Sequence, residues 1–369
     1  MIDEKIWQGV NYLLDEYAMV KSEDQVIIAY TKKSRESAAW VSHALELRNI
    51  EVNLIWMKPL KDAGFFDRFV NVLPQKEKLT GNKKLHIMTF ELDTLSHTNE
   101  IRKALSVYKE KNYLIIRAMS ACPELFSYAL HAKPKQLLAR NATILDRCMQ
   151  ANTLRIKCLG GTDLKVHLDS ERFRWISNHG VCRERDTLIL PAGEVATYPD
   201  CIEGTLVANF AFNLNAITYI DTRLETNPIK VFIEKGKAID FECENIKMKD
   251  IVAKCFKSPN GMNVGELGFG TNYCVQHPIP LNSHINERCP GVHLGFGQHN
   301  QCSILYQCNI HLDLITKGGF IWVDEDSLPL NLDNITASLN PHPLNCQAED
   351  VFAPNSDHDL KNDCCGIIG

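Results

Sequence analysis

The chain has 369 residues, with 40 Lys and Arg against 45 Asp and Glu, a formal charge of -5, and 45% hydrophobic residues. That length suits two domains, each with its own core, and the composition excludes large-scale disorder. No long basic run points to nucleic acid, no apolar run approaches the ~20 residues that cross a bilayer, and Asp3, Glu4 and Lys5 stand where a secretory signal needs a cationic, then apolar, start.

In chain order, Ile6, Val10, Leu13, Leu14 and Tyr17 recur at helical spacing, and Gln25 to Tyr30 (QVIIAY) is a strand-length apolar run. Ser34 is placed to cap a helix running to about Arg48. Glu51 to Trp56 (EVNLIW), Leu85 to Phe90 (LHIMTF) and Tyr113 to Ala118 (YLIIRA) follow as further buried strands. Strands separated by helices predict a parallel sheet flanked by helices over residues 1–150. The loop after the first strand (TKKSRES) lacks the glycines of a dinucleotide fingerprint, so this α/β domain reads as architectural.

From Thr153 the pattern changes. Leu154 to Leu159 and Asp163 to Leu168 alternate with a period of two around a turn at Gly160 and Gly161. Residues 151–369 are expected to form a mainly β, metal-binding domain. Of the 14 cysteines none forms a CxxC pair, and without a secretory signal they are expected to be reduced thiols; the vicinal Cys364 and Cys365 receive no function. The chain is accordingly read as cytoplasmic, and the NxT triplets at Asn141 and Asn334 as incidental.

Four segments of this second domain offer ligands for a divalent ion, which needs carboxylate oxygens and imidazole nitrogens on rigid elements. Glu194 sits in the turn PAGEV after the run TLIL, and Glu266 in GELGFG, an apolar and glycine-rich setting that is costly for a lone charge. His293 lies in GVHLGFG, and His311 and Asp313 in HLDLI, where strand geometry turns both to one face. Each also fits a structural role: a solvated turn glutamate, a buried hydrogen bond, a core histidine, a paired His and Asp. Together they supply three carboxylates and two imidazoles, enough for two adjacent ions.

In this order, PAGEV followed by EGT, then GELGFGTN, GVHLGFG and HLDLI, the segments resemble the aminopeptidase T family of dinuclear metallopeptidases, also called M29-type; TDLKVHL and RFRWISNHG add to the likeness. The resemblance implies that Glu194, Glu266, His293, His311 and Asp313 bind two divalent ions (Zn, Mn or Co), that the substrate is a peptide cleaved at its first bond, and that the protein is a homodimer. One departure stands out. The family has a tyrosine shortly after the third-segment histidine, where this chain has Gln298, His299, Asn300 and Gln301; His299 or Asn300 is a candidate replacement donor. Two rival readings share the framework. In a mononuclear iron dioxygenase acting on 2,5-dihydroxypyridine, His293, His311 and Asp313 would form the facial triad, although the resembling dioxygenases carry a histidine where Glu266 stands. The other rival is a repurposed peptide-binding relative in a biosynthetic pathway.

Overall fold

The apolar runs that alternate with helices in the first third of the chain assemble into one parallel sheet. In the computed structural model, which describes residues 3–59, 61–79, 81–91, 97–108, 112–182, 187–216, 218–301, 305–338 and 351–352, these are β1 (Gln25–Tyr30), β2 (Glu51–Trp56), β3 (Leu85–Glu91) and β4 (Tyr113–Met119). A later strand, β8 (Thr187–Leu190), joins β4, so the order is β2-β1-β3-β4-β8. The helices are α1 (Glu4–Tyr12), α2 (Arg35–Leu47), α3 (Phe65–Val72), α4 (Thr98–Leu105) and α5 (Pro123–Ser127). Ile27, Ala29, Ile55 and Ile87 of the sheet pack against Phe65 and Phe69 of α3 and Ile101 and Leu105 of α4. Parallel strands are buried on both faces, which is why they read as continuous apolar runs. Ser34 stands at the N-cap of α2 but does not cap it. Its hydroxyl accepts from Thr31 N (3.0 Å) and donates to Phe90 O (2.6 Å), tying the β1–α2 loop to β3.

A buried pair at the start of this sheet makes its stability sensitive to acid. Asp24 and His86 are 3% and 1% exposed, with Asp24 Oδ2 3.0 Å from His86 Nε2. Asp24 also accepts from the amides of Lys21 (2.9 Å) and Lys84 (2.8 Å). Burial opposes the charge, but the His86 bond and these amides outweigh it and hold the carboxyl below its ordinary value. A depressed carboxyl stabilises the fold above its unfolded-state pKa, and that contribution is lost as pH falls through the folded value. Asp24→Asn is therefore expected to cost about 1–3 kcal/mol at neutral pH, with a smaller penalty at about pH 3. Urea titrations at the two pH values check this, and an equal penalty at both would contradict it.

The described residues within Met1–Pro134 and Gly180–Ala192 form one compact unit, and those within Lys135–His179 and Gly193–Ile368 the other. The chain thus passes between units near 134, 179 and 192, where the periodicity alone suggests a single passage near 150. The reason is that the run TLIL completes the parallel sheet as β8, and that Ile144, Leu145 and Cys148 of helix α6 (Pro134–Cys148) are buried in the core of the second unit.

The second unit contains two antiparallel sheets. One has the order β13-β12-β10-β6-β5-β17-β18 and is formed by β5 (Thr153–Lys157), β6 (Asp163–His167), β10 (Cys201–Ala208), β12 (Ile229–Glu234), β13 (Lys237–Glu242), β17 (Phe320–Val323) and β18 (Leu330–Asn331). The other has the order β11-β16-β15-β14-β9-β7-β19 and is formed by β7 (Trp175–Asn178), β9 (Glu194–Thr197), β11 (Ala211–Leu214), β14 (Val264–Gly270), β15 (Gly291–Gly297), β16 (His311–Ile315) and β19 (Val351–Phe352). Inward residues of both sheets, among them Ile156, Val166, Leu206 and Val231 from one and Leu267, Phe269, Leu294 and Leu314 from the other, share a single core with α7 (Ile246–Lys257). The short helix α8 (His284–Glu287) precedes β15. An α/β unit with a parallel sheet and a mainly β unit are thus the architecture expected from the sequence. Among the described residues no helix is long and apolar enough to cross a membrane. Cys364 and Cys365 lie outside the described residues.

Candidate metal centre

The strands that carry the predicted ligands are consecutive in their sheet, in the order β16-β15-β14-β9. Strand periodicity sends alternate residues to opposite faces: Val195, Leu267, Phe269, Val292, Leu294, Phe296, Leu312 and Leu314 enter the core. Glu194, Glu266, His293, His311 and Asp313 occupy the alternate positions and share the other face. A register shift between Val264 and Glu266 inserts Gly265 as an extra residue, so that Val264 and Leu267 both face the core while Glu266 faces the site.

Each of the five residues lies directly across from a glycine on the neighbouring strand. Glu194 pairs with Gly270, Glu266 and Asp313 both with Gly295, His293 with Gly268, and His311 with Gly297. The glycines provide room. A Cβ on Gly268 would lie 2.0 Å from His293 Nε2, and one on Gly295 would lie 2.8 Å from His311 Cε1, 2.9 Å from Glu266 Cβ and 3.0 Å from Asp313 Oδ1. The repeated GxG pattern of β14 and β15 is therefore the floor on which the polar side chains lie. Gly193, at a φ of +112°, makes the turn that sets Glu194 at the head of β9.

The five polar groups touch in sequence. His293 Nε2 is 3.1 Å from Glu194 Oε1 and 3.6 Å from Glu266 Oε1, while His311 Nε2 is 4.0 Å from Glu266 Oε2 and 3.0 Å from Asp313 Oδ1. One ligand atom from each of Glu194, Glu266 and His293 lies within 4.8 Å of the others. The group is buried: Glu194, Glu266, His293 and Asp313 are 8%, 6%, 1% and 2% exposed. Glu194 Oε1, both ring nitrogens of His293 and Asp313 Oδ1 have no hydrogen-bond partner among the described residues. Buried polar atoms without hydrogen bonds are costly, and divalent cations in this cluster would satisfy Glu194 Oε1, His293 Nε2 and Asp313 Oδ1. The residues fit a metal. His311 Nδ1 lies 2.9 Å from Gln298 O, an arrangement that keeps the proton on Nδ1 and leaves Nε2 to bind.

Without a cation the groups compensate one another. Burial opposes the charge on His293, yet Glu194 and Glu266 raise its pKa to about 10. His311, likewise opposed by burial, is held well above the ordinary imidazole value by Asp313 and Glu266. Burial raises Asp313 to about 7 despite His311. Glu194 stays below the ordinary value although burial raises it, because Arg288 and His293 face it.

Several residues that position the site were not among the predicted ones. Arg288 Nη1 is 2.5 Å from Glu194 Oε2. Asn141, fully buried on α6, has its Nδ2 within reach of Glu194 O (2.9 Å), Ser177 Oγ (3.0 Å) and Asn178 O (3.2 Å), and its Oδ1 accepts from Thr271 (2.6 Å). It therefore joins β7, β9 and the end of β14 instead of facing solvent. The sequence signal for Arg288 is an adjacent Glu and Arg (NERCPG) just before an apolar strand, whereas Asn141 is marked only by an NxT triplet that says nothing of this role.

At the position of the absent tyrosine, His299 is committed to its own loop, with contacts to the amides of Gln301 (3.2 Å) and Leu305 (3.3 Å) and to Tyr306 O (3.2 Å). Asn300 is fully buried; its backbone carbonyl accepts from Arg174 Nε (2.7 Å) and its Oδ1 from Gln301 Nε2 (2.7 Å), while Nδ2 has no partner among the described residues. Tyr306 brings a phenol back to the end of β15, where it donates to Gly297 O (2.8 Å). Within this loop it is Gln298 that acts directly on a predicted ligand, through its carbonyl.

Residues 214–318, which include Glu266, His293, His311 and Asp313, match the family model described as crocagin biosynthetic protein CgnE/B. No curated protein matches the chain. Among solved structures it is similar to the 2,5-dihydroxypyridine dioxygenase of Pseudomonas putida, with 16% identity and a TM-score of 0.60 over 90% of this chain and 97% of that one. It is also similar to wild-type AmpT of Thermus thermophilus, with 14% identity and a TM-score of 0.53 over 90% of this chain and 100% of that one. At these identities the likeness concerns the fold: this chain shares the architecture of AmpT and of the 2,5-dihydroxypyridine dioxygenase, and its buried Glu194, Glu266 and His293 could hold a metal.

Proposed function

We propose that this protein is a metal-dependent hydrolase that removes the N-terminal residue of peptides, using two divalent ions (Zn, Mn or Co) that share Glu266. The observation that carries this reading is the position of Glu266, whose Oε1 faces His293 while its Oε2 faces His311. Glu194 and His293 would complete one half, and His311 and Asp313 the other. This division uses all five residues and both oxygens of the central carboxylate. A mononuclear iron site built on His293, His311 and Asp313 would leave Glu194 and Glu266 as surplus buried charge, which disfavours the dioxygenase reading despite the fold it shares.

Bound there, the ions would supply Lewis acidity at the scissile carbonyl and an activated water. The protein's part is to hold the donors still. The Gln298 carbonyl orients His311, Asn141 fixes the backbone at Glu194, and the apolar strand faces Leu267, Leu294 and Leu312 anchor the sheet from behind. The match to a biosynthetic family favours a second reading, a peptide-binding relative in a biosynthetic pathway, and the commitment of His299 to its own loop is consistent with reduced peptidase chemistry.

Elemental mass spectrometry on protein purified without chelators separates these readings. About two equivalents of Zn, Mn or Co per chain are expected. About one equivalent of iron would favour the oxygenase, and no metal even after reconstitution would leave the binding protein.

A further inference from the structure

A second buried layer links the outer ligand strands. Arg288 is 1% exposed and among the largest fully buried side chains. Its Nη1 is 2.5 Å from Glu194 Oε2 and 3.3 Å from Glu287 Oε2. Glu287, 4% exposed, accepts in turn from the Nδ2 of Asn213, which lies on β11 directly across from Asp313 of β16. A continuous path therefore runs from Glu194 on β9 through Arg288, Glu287 and Asn213 to the strand beside Asp313. The Arg288 backbone is anchored as well, its carbonyl accepting from Asn272 N at 2.9 Å.

We propose that Arg288 is a positioning residue of the metal centre: by holding Oε2 of Glu194 it leaves Oε1 as the single metal-binding atom of that carboxylate and sets it against His293. The inference rests on the metal-centre reading above. Three features support it. Glu194 Oε2 is occupied at 2.5 Å, while Oε1 has no hydrogen-bond partner among the described residues and lies 3.1 Å from His293 Nε2. One guanidinium nitrogen, Nη1, contacts both buried carboxylates, and arginine keeps its charge on burial where a lysine more readily loses its proton. Arg288 and Glu287 also offset one another, so the pair orders the site without changing its net charge.

The test is calorimetric titration of metal-free protein with Zn(II), and with Co(II) followed by its visible spectrum, for wild type, Arg288→Met, Arg288→Lys and Glu194→Gln, and for Arg288→Met combined with Glu194→Gln. In Arg288→Met the Kd of one ion should rise about 10–100-fold, the usual effect of losing an outer partner of a ligand, with a changed Co(II) spectrum and the other ion unaffected. Arg288→Lys should recover part of the loss. In the Glu194→Gln background, Arg288→Met should add nothing, because Arg288 acts through Glu194. Unchanged affinities and spectra, or an equal further loss in that background, would overturn the proposal while leaving the metal centre standing. If Arg288→Met does not fold, Arg288→Met combined with Glu287→Gln, which removes the two offsetting charges together, decides, since wild-type affinity and spectrum in that variant overturn the proposal equally. A wild-type chain that takes up no metal overturns the metal-centre reading and this proposal with it.

Discussion

Glu266→Gln is expected to lower the metal content from about two ions per chain to one or none and to reduce peptide hydrolysis by about 10³-fold or more. An amide is a poor ligand for hard and borderline cations, and both halves of the proposed centre depend on this one carboxylate, with Oε1 3.6 Å from His293 and Oε2 4.0 Å from His311. The fold should persist. Glu266 is 6% exposed at a position whose strand neighbours Leu267 and Phe269 hold the core, and the substitution keeps the side chain's shape. Circular dichroism and thermal melting establish folding, and elemental analysis gives the ion count. Two ions retained at wild-type affinity would rule out Glu266 as the shared ligand.

Gly268→Ala tests whether the glycines make the site possible. The added methyl would lie 2.0 Å from His293 Nε2, 2.2 Å from Cε1 and 2.7 Å from Cδ2, so the imidazole must leave its place over the sheet. His293 is 1% exposed and has no open space to move into at no cost. Overpacking of this kind costs about 1–3 kcal/mol, and the displaced ring no longer meets Glu194 and Glu266. Loss of at least one ion with only a modest fall in melting temperature is expected. Gly64→Ala is the control, because a Cβ there meets chiefly the end of the flexible Arg68 side chain, at 2.8 Å. A Gly268→Ala protein with its full metal content and unchanged affinity would show that the glycine serves some other purpose.

The two predictions draw on different kinds of information. Glu266 was legible in its segment as a candidate, a carboxylate placed among glycines and apolar residues where an uncompensated charge is unfavourable. The need for glycine at 268 was not, because the atom it makes room for belongs to another strand, 25 positions along the chain from Gly268. Gly295 shows the same limit: as a sequence feature it is one glycine of GVHLGFG, whereas in the sheet it lies across from both Glu266 and Asp313.

What the sequence by itself determined was local. Continuous apolar runs marked the parallel strands, a period of two marked β5, β6 and β16, and the period placed His311 and Asp313 on one face with Leu312 and Leu314 behind them. Hydrophobic periodicity selects the face of a strand because one face must leave water. It does not say which residue of a distant strand lies alongside. That was decided by tertiary structure, which set Glu194 beside Gly270, returned β8 to the parallel sheet, bonded Asn141 to the backbone of β9, and placed Arg288 and Glu287 beside the site. Burying those charges is favourable only once their partners are in position. The partners come from strands separated by long stretches of chain, so the arrangement exists in the folded sheet and in no segment of it.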